Sequence, residues 1–368
     1  MVSALQALVR RGMTQPIAAP VAADDERFLA VKGTGRVAFR VARRQLEVAL
    51  SGQGRHECAA IDPAWRRGLW IHAEAPQIGD ALMDLAPRSL LAERGIALDL
   101  LAAPASAALF AGDAYFGHVL VDADEAPAAA YDFAIVDSRC WKALAWKRRR
   151  WPRLPWVSLK GDYLAYDYHR GLLATRRLAA LLGMELDGAA EARHAQQKLR
   201  LRREVALPEG VAPGAVALAL GGVRAERSYA GWPEVAARLH GRGAGPFVLL
   251  GSGNGEAMAR AVRERLPAHR CVDLVGRTDL HTTRRAMVEA SVVLAADGGL
   301  MHLALTTPTP LVALFDASID PAWRLPPAFA GQALRANERR VSAIAPEQVE
   351  AAARAVLGRA GGTLSAGR

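Results

Sequence analysis

The sequence predicts an α/β protein built as two doubly wound halves, each a parallel sheet covered by helices on both faces. Three observations carry this expectation. From residue 68 onward, short apolar runs alternate with amphipathic stretches, which is the pattern of βαβ units. The alternation lapses over a charged stretch at residues 193–204 and then resumes. At 368 residues the chain is also long enough for two full cores.

Residues 1–67 form an extension with the weakest pattern, with a hairpin expected at 27–40 around Gly33–Gly35 and a short helix at 41–50. The first half, 68–205, begins with a strand at 69–73 (LWIHA). Gly79-Asp80 then precedes a helix at 81–94. Residues 96–102, 119–121 and 131–137 read as further strands, and 163–182 as a helix with recurring leucines. The stretch 193–204 is expected to be a solvated connector, with the halves joined near 195–212.

The second half, 206–358, repeats the scheme. Strands are expected at 215–220, 246–250, 271–275, 292–296 and 311–315, with helices at 232–240, 255–265, 283–290 and 346–357. A glycine- and serine-bearing tail, 359–368, reads as loose. Two such halves would meet at a cleft, with ligands outside the carboxyl ends of the strands.

The most informative stretch is 292–315, VVLAADGGLMHLALTTPTPLVALF. An apolar strand stops at Asp297-Gly298-Gly299, and a helix pattern starts at Leu300 or Met301. Strand, glycine turn and helix start together can offer backbone N–H groups to a phosphate. The same pattern also fits a tight turn with a capping aspartate, so both readings stand.

Hydrophobic residues make up 51% and charged residues 23%, a globular composition. The net charge is +10, and only five lysines occur, so arginine supplies the excess. Such a balance suits a phosphate-bearing ligand, a nucleic acid or an anionic membrane face. Cys58, Cys140 and Cys271 show no metal-ligand spacing and read as buried thiols. No unbroken apolar run reaches the roughly 18 residues of a membrane span. With no secretory pattern at the N-terminus, the expected location is the cytoplasm.

Residues 139–160, RCWKALAWKRRRWPRLPWVSLK, form the most basic segment. Seven basic residues and four tryptophans lie between Arg139 and Trp156. Lys142, Lys147, Arg148, Arg149, Arg150 and Trp151 suit a phosphorylated lipid-linked acceptor or the inner face of an anionic membrane. A helix with buried tryptophans and a solvated arginine face fits equally. Nucleic-acid binding has no supporting motif and ranks last.

In the second half, Gly221-Gly222 and the loop VRAERSYAG end in Trp232-Pro233. Residues 248–256 (VLLGSGNGE), 274–280 (LVGRTDL) and 297–302 (DGGLMH) follow in order. This ordered series resembles glycosyltransferase family 9, the heptosyltransferases that use ADP-heptose. Ile78-Gly79-Asp80-Ala81-Leu82 and 131–144 resemble the family's first half, so the likeness spans about 68–358.

The resemblance implies two Rossmann-like domains facing a central cleft (the GT-B type). It also implies inverting sugar transfer, with an ADP-sugar as co-substrate and neither a cofactor nor a metal. Asp80 would be the base, although Asp is also a favoured helix cap. Arg224 or Arg227, with the Gly298–Leu300 amides, would meet the leaving diphosphate. Glu256 would bind ribose, or else simply favour its helix's first turn. The Thr278 backbone would lie near adenine, and Asp297 and His302 would hold the donor, His302 being otherwise a core residue. One departure stands out. Ala230-Gly231 precedes Trp232, where the family commonly places a basic residue. It leaves a non-catalytic nucleotide-binding or scaffold relative as the alternative.

Overall fold

The computed structural model describes residues 33–72, 77–126, 131–162, 169–222, 224–327 and 329–365. The chain divides into two compact units, Met1–Arg202 and Arg203–Arg368.

In the first unit the strands are β1 (Arg67–His72), β2 (Ala97–Ala102), β3 (Val119–Leu120), β4 (Phe133–Val136) and β5 (Trp156–Ser158). They pair in parallel in the order β3-β2-β1-β4-β5. The chain therefore builds outward from β1 on one side and then crosses to its other side. The register sets Arg67 beside Ala97 and His72 beside Ala102. Leu69, Ile71, Leu101, Ala134 and Val136 form the core with Trp151 and Trp156.

The N-terminal extension differs from expectation. Instead of a hairpin, Gly33 (φ 82°) opens a helix, α1 (Thr34–Leu50). Val37, Val41 and Val48 recur at helical spacing and are buried, so burying that stripe favours helix over strand alternation. Residues 27–32 of the expected hairpin lie outside the described residues. The chain then stays on this unit: the Cys58 amide donates to Trp156 O at 2.7 Å and that of Ile61 to Leu181 O at 2.8 Å.

The single helix expected at 81–94 is two, α2 (Ile78–Asp84) and α3 (Arg88–Glu93), separated at Pro87. Further along come α4 (Pro104–Phe110), α5 (Trp141–Arg150), α6 (Arg170–Leu181) and α7 (Gly188–Ala195). The stretch 193–204 is not a solvated connector. His194, Ala195, Gln197 and Leu199 are buried, and the Ala114 amide donates to Arg200 O at 2.7 Å. The charges that suggested a solvated run sit on a backbone held by pairing with the loop after α4.

The second unit holds β6 (Val216–Ala219), β7 (Phe247–Leu250), β8 (Cys271–Asp273), β9 (Val292–Ala296), β10 (Leu311–Phe315) and β11 (Gly331–Arg335). Its order is β11-β10-β9-β6-β7-β8, again outward from the first strand and then across. Helices α8 (Trp232–Gly241), α9 (Glu256–Arg263), α10 (Leu280–Glu289), α11 (Gly299–Ala304) and α12 (Pro346–Ser365) complete it. The core joins Val216, Leu218, Trp232, Leu249, Leu294, Leu314 and Val349. The tail expected to be loose continues α12 as helix to Ser365, since elongating an anchored helix is easier than nucleating one.

Candidate active site

In the second unit the chain's crossing falls between β6 and β9, the switch point where open α/β sheets bind ligands. The loops leaving β6 and β7 press backbone against backbone. Gly221 has φ 87°, and a Cβ there would stand 2.6 Å from Asn254 Oδ1. Asn254 Nδ2 donates to Gly222 O at 3.0 Å. A Cβ on Gly251 would meet Leu220 O at 2.7 Å, so glycine is sterically required there too.

Asp297 leaves β9 and is buried, its amide donating to Leu314 O at 2.9 Å. The short turn Ala225–Arg227 brings Arg227 Nη1 within 3.2 Å of Asp297 Oδ2, and Arg324 Nε lies 3.9 Å from Oδ1. Gly298 is extended, and a Cβ there would meet no atom closer than 3.8 Å. Neither backbone nor packing demands glycine at that position, so its missing side chain leaves room at the start of α11. That helix starts at Gly299, ahead of the expected Leu300. His302 is buried and its amide donates to Gly298 O at 3.2 Å.

The remaining sequence candidates spread over the same loops. Arg224 is exposed, and its carbonyl accepts from the Arg227 amide. Glu256 is exposed in the first turn of α9, its Oε1 lying against Gly253 and Gly276. Thr278 spends its hydroxyl on Thr283 at 2.9 Å, which leaves its backbone for other contacts.

In the first unit the crossing falls between β1 and β4, and a network of buried charge stands there. His72 closes β1 and Asp137 follows β4. His72 Nε2 lies 3.2 Å from both Asp84 Oδ2 and Asp137 Oδ2. Trp70 Nε1 donates to Asp137 Oδ1 at 2.8 Å. Lys160 and Arg170 both donate to Asp84, Arg170 through Nε and through Nη2 at 2.6 Å.

Burial alone would raise the Asp84 pKa. The Arg170 guanidinium and the Lys160 ammonium overcome this and hold it well below the usual carboxylate range. Asp137 moves the other way, pushed up by burial with His72 and Lys160 offsetting only part.

Asp80 is the outward member of this network. Its side chain is one-third exposed, and Arg170 Nη1 reaches Oδ1 at 3.1 Å. It does not cap a helix, because α2 begins two residues earlier with Gln77 at the N-cap.

The sequence showed no metal-ligand set, yet His72, Asp84 and Asp137 each offer one atom within 4.8 Å of the others. Within this set Asp84 is already engaged. Lys160 and Arg170 already neutralise Asp84, and a divalent ion there would face two fixed positive charges. Sequence reasoning missed His72, Asp84, Asp137, Lys160 and Arg170. The available signal was position, since His72 and Asp137 sit at the carboxyl ends of the two strands flanking the crossing.

The basic segment is split by α5. Lys142, Arg148, Arg149 and Arg150 are exposed. Lys147 is not on the surface: it shares the buried face of Ala143 and Leu144, and its Nζ donates to Gln53 Oε1 at 2.7 Å and Trp151 O at 3.1 Å. Trp151 is a core residue, edge-on to Tyr131 with ring centroids 5.8 Å apart. Helical periodicity turns Lys147 inward and the chain's exit from α5 buries Trp151, so neither belongs to an acceptor-facing surface.

Comparison with known proteins fits this geometry. Several solved structures share the two-domain fold. A family 9 glycosyltransferase from Veillonella parvula matches with TM-score 0.65 at 16% identity, over 82% of this chain and 99% of that one. The E. coli heptosyltransferase WaaC, solved with ADP-2-deoxy-2-fluoro heptose, matches with TM-score 0.58 at 18% identity, over 78% and 99%. In sequence, lipooligosaccharide heptosyltransferase 2 of Haemophilus influenzae is 34% identical over 70 residues, or 18% of this chain. That match spans only 20% of the relative's length. The family model for glycosyltransferase family 9 (heptosyltransferase) matches residues 167–352. The chain belongs to glycosyltransferase family 9.

Proposed function

We propose that the protein transfers a heptose-type sugar from an ADP-sugar, with inversion, to a lipopolysaccharide-core or related anionic acceptor. Asp80 is the base. An acceptor hydroxyl gives its proton to Asp80 Oδ2 while its oxygen attacks the anomeric carbon. The carbon–oxygen bond to the diphosphate then breaks, and the electron pair leaves with ADP. The observation that carries this reading is the exposure of Asp80 beside a fully buried Asp84. Arg170 Nη1 meets Asp80 at Oδ1, and in this reading Oδ2 takes the hydroxyl proton.

On the donor side, charge on the departing diphosphate needs cations and oriented dipoles. Arg227, held against Asp297, supports that role where Ala230-Gly231 replaces the family's usual basic residue. The similarity to a heptosyltransferase solved with an ADP-sugar analogue supports the choice of donor.

The test is calorimetric titration of ADP, UDP and GDP into the wild type and Asp297→Ala, with turnover followed in Asp80→Asn. The reading expects selective ADP binding that weakens in Asp297→Ala. It also expects a roughly 10²–10⁴-fold loss of kcat in Asp80→Asn with ADP affinity kept. If no nucleotide diphosphate binds, the donor assignment falls. The absent basic residue before Trp232 favours one competing reading, an inactive nucleotide-binding scaffold, which predicts ADP binding without turnover by the wild type.

A further inference from the structure

Helix α1 carries a surface that the reaction does not use. Its inward stripe is Val37, Ala38, Val41 and Val48. On the opposite side Phe39, Leu46 and Leu50 are 68%, 57% and 75% exposed. At about 100° per residue, these three fall within about 40° of one another, directly away from the buried stripe. They are three of the five exposed large hydrophobics among the described residues, and a fourth is Trp141 at the start of α5.

Arg36, Arg40 and Arg43 line one flank of the stripe, all exposed. That flank meets α5, where the Trp141 amide donates to Glu47 Oε2 at 3.1 Å. Arg148 lies over the Trp141 ring at 5.2 Å, and exposed Lys142 lies 5.8 Å from the centroid of Trp146. The one carboxylate on α1, Glu47, is already engaged with Arg43 at 3.3 Å.

We infer that α1 and the start of α5 form a membrane-docking surface for an anionic lipid bilayer, with Phe39, Leu46, Leu50 and Trp141 entering the interface and the arginines meeting lipid phosphates. An apolar stripe beside a row of arginines, with an aromatic at its edge, matches a helix lying in the headgroup region. Charge complementarity selects lipid over a second copy of this chain, because an anionic headgroup layer pairs with the arginine row whereas a second copy brings the same cationic row and, on α1, one carboxylate already engaged with Arg43. The choice of a lipid partner rests on the proposed membrane-borne acceptor. The test reads lipid binding without turnover, so the two readings fail separately.

The experiment is co-sedimentation of the full chain with vesicles of phosphatidylcholine alone or containing about one-third phosphatidylglycerol. The wild type should bind the anionic vesicles selectively. Binding should fall at least about tenfold in a Phe39→Ser, Leu46→Ser, Leu50→Ser variant. An Arg36→Gln, Arg40→Gln, Arg43→Gln variant should bind more weakly and lose most of its salt dependence. Both variants should keep the wild-type melting temperature and ADP affinity. Absence of wild-type binding, or equal partitioning of wild type and serine variant, overturns the proposal. A serine variant that only changes mass by light scattering shows a second copy on the stripe. One that only melts earlier shows the stripe covered by the chain itself. Either result overturns it as well.

Discussion

Asp80 and Asp84 sit one helical turn apart and face different surroundings. Asp84 is sealed from solvent with Lys160 against it, while Arg170 is partly exposed. Replacing Asp84 with Ala should destabilise the fold by about 3–5 kcal/mol, because the buried Lys160 loses its bonded carboxylate and Arg170 is left with Asp80. The Asp84 carboxyl's folded pKa is depressed, so its contribution is complete above the ordinary carboxylate range and disappears as pH falls through the folded value. The acid loss of stability, followed by circular dichroism, should therefore set in as pH falls below the usual carboxylate range, and be smaller in Lys160→Met, where Asp84 has lost one of its cations. Lys147 gives a slope of the same sign at higher pH. Burial pushes it down to about 8, so between there and its unfolded pKa of about 10.4 the unfolded chain binds more protons. Stability rises with pH across that window. In Lys147→Met the urea midpoint should change less between the two ends. Gly221→Ala should cost about 1–3 kcal/mol in stability, since φ 87° and the 2.6 Å approach to Asn254 both oppose a Cβ.

Elements differ in how much of them the sequence revealed. The strands β9 and β10 coincide with the expected 292–296 and 311–315, because strands buried on both faces read as unbroken apolar runs. The edge strand β11, GQALR, has no such run and escaped notice, though a Cβ on Gly331 would fall 1.8 Å from Leu311 O. The second half of α1 coincides with the helix expected at 41–50, but its first turns read as a hairpin because Gly33 and Gly35 suggested a turn, whereas three valines at helical spacing set the form. The site was legible where it is local: Asp297-Gly298-Gly299 and Asp80 lie in short motifs. The network around Asp84 joins residues up to 86 positions apart, and only the sheet crossing assembles it.

At the scale of the molecule, each unit makes the same crossing and keeps its candidate residues at its own switch point. Each also has its own core. A nucleotide bound in the second unit should therefore stabilise that unit alone. In scanning calorimetry, ADP at about 100 times its Kd should add about 2.7 kcal/mol to the unfolding of residues 203–365, leaving the first unit's transition in place. A shift confined to the first unit would misplace the donor site. No helix among the described residues is long and apolar enough to cross a membrane.

The charge network at β1 and β4 also limits how this sequence can drift. Removing Asp84 alone leaves Lys160 buried without its bonded carboxylate, and removing either cation alone weakens the balance around Asp84, whereas exchanging several together for apolar residues of like volume can be neutral or better. Lineages descending from this chain then face a valley between two tolerable states. Intermediates carrying one substitution would be purged, so departures from the quintet should arrive as sets. The covariation should tie Asp84 to Lys160 and Arg170 more tightly than to its neighbours in the chain.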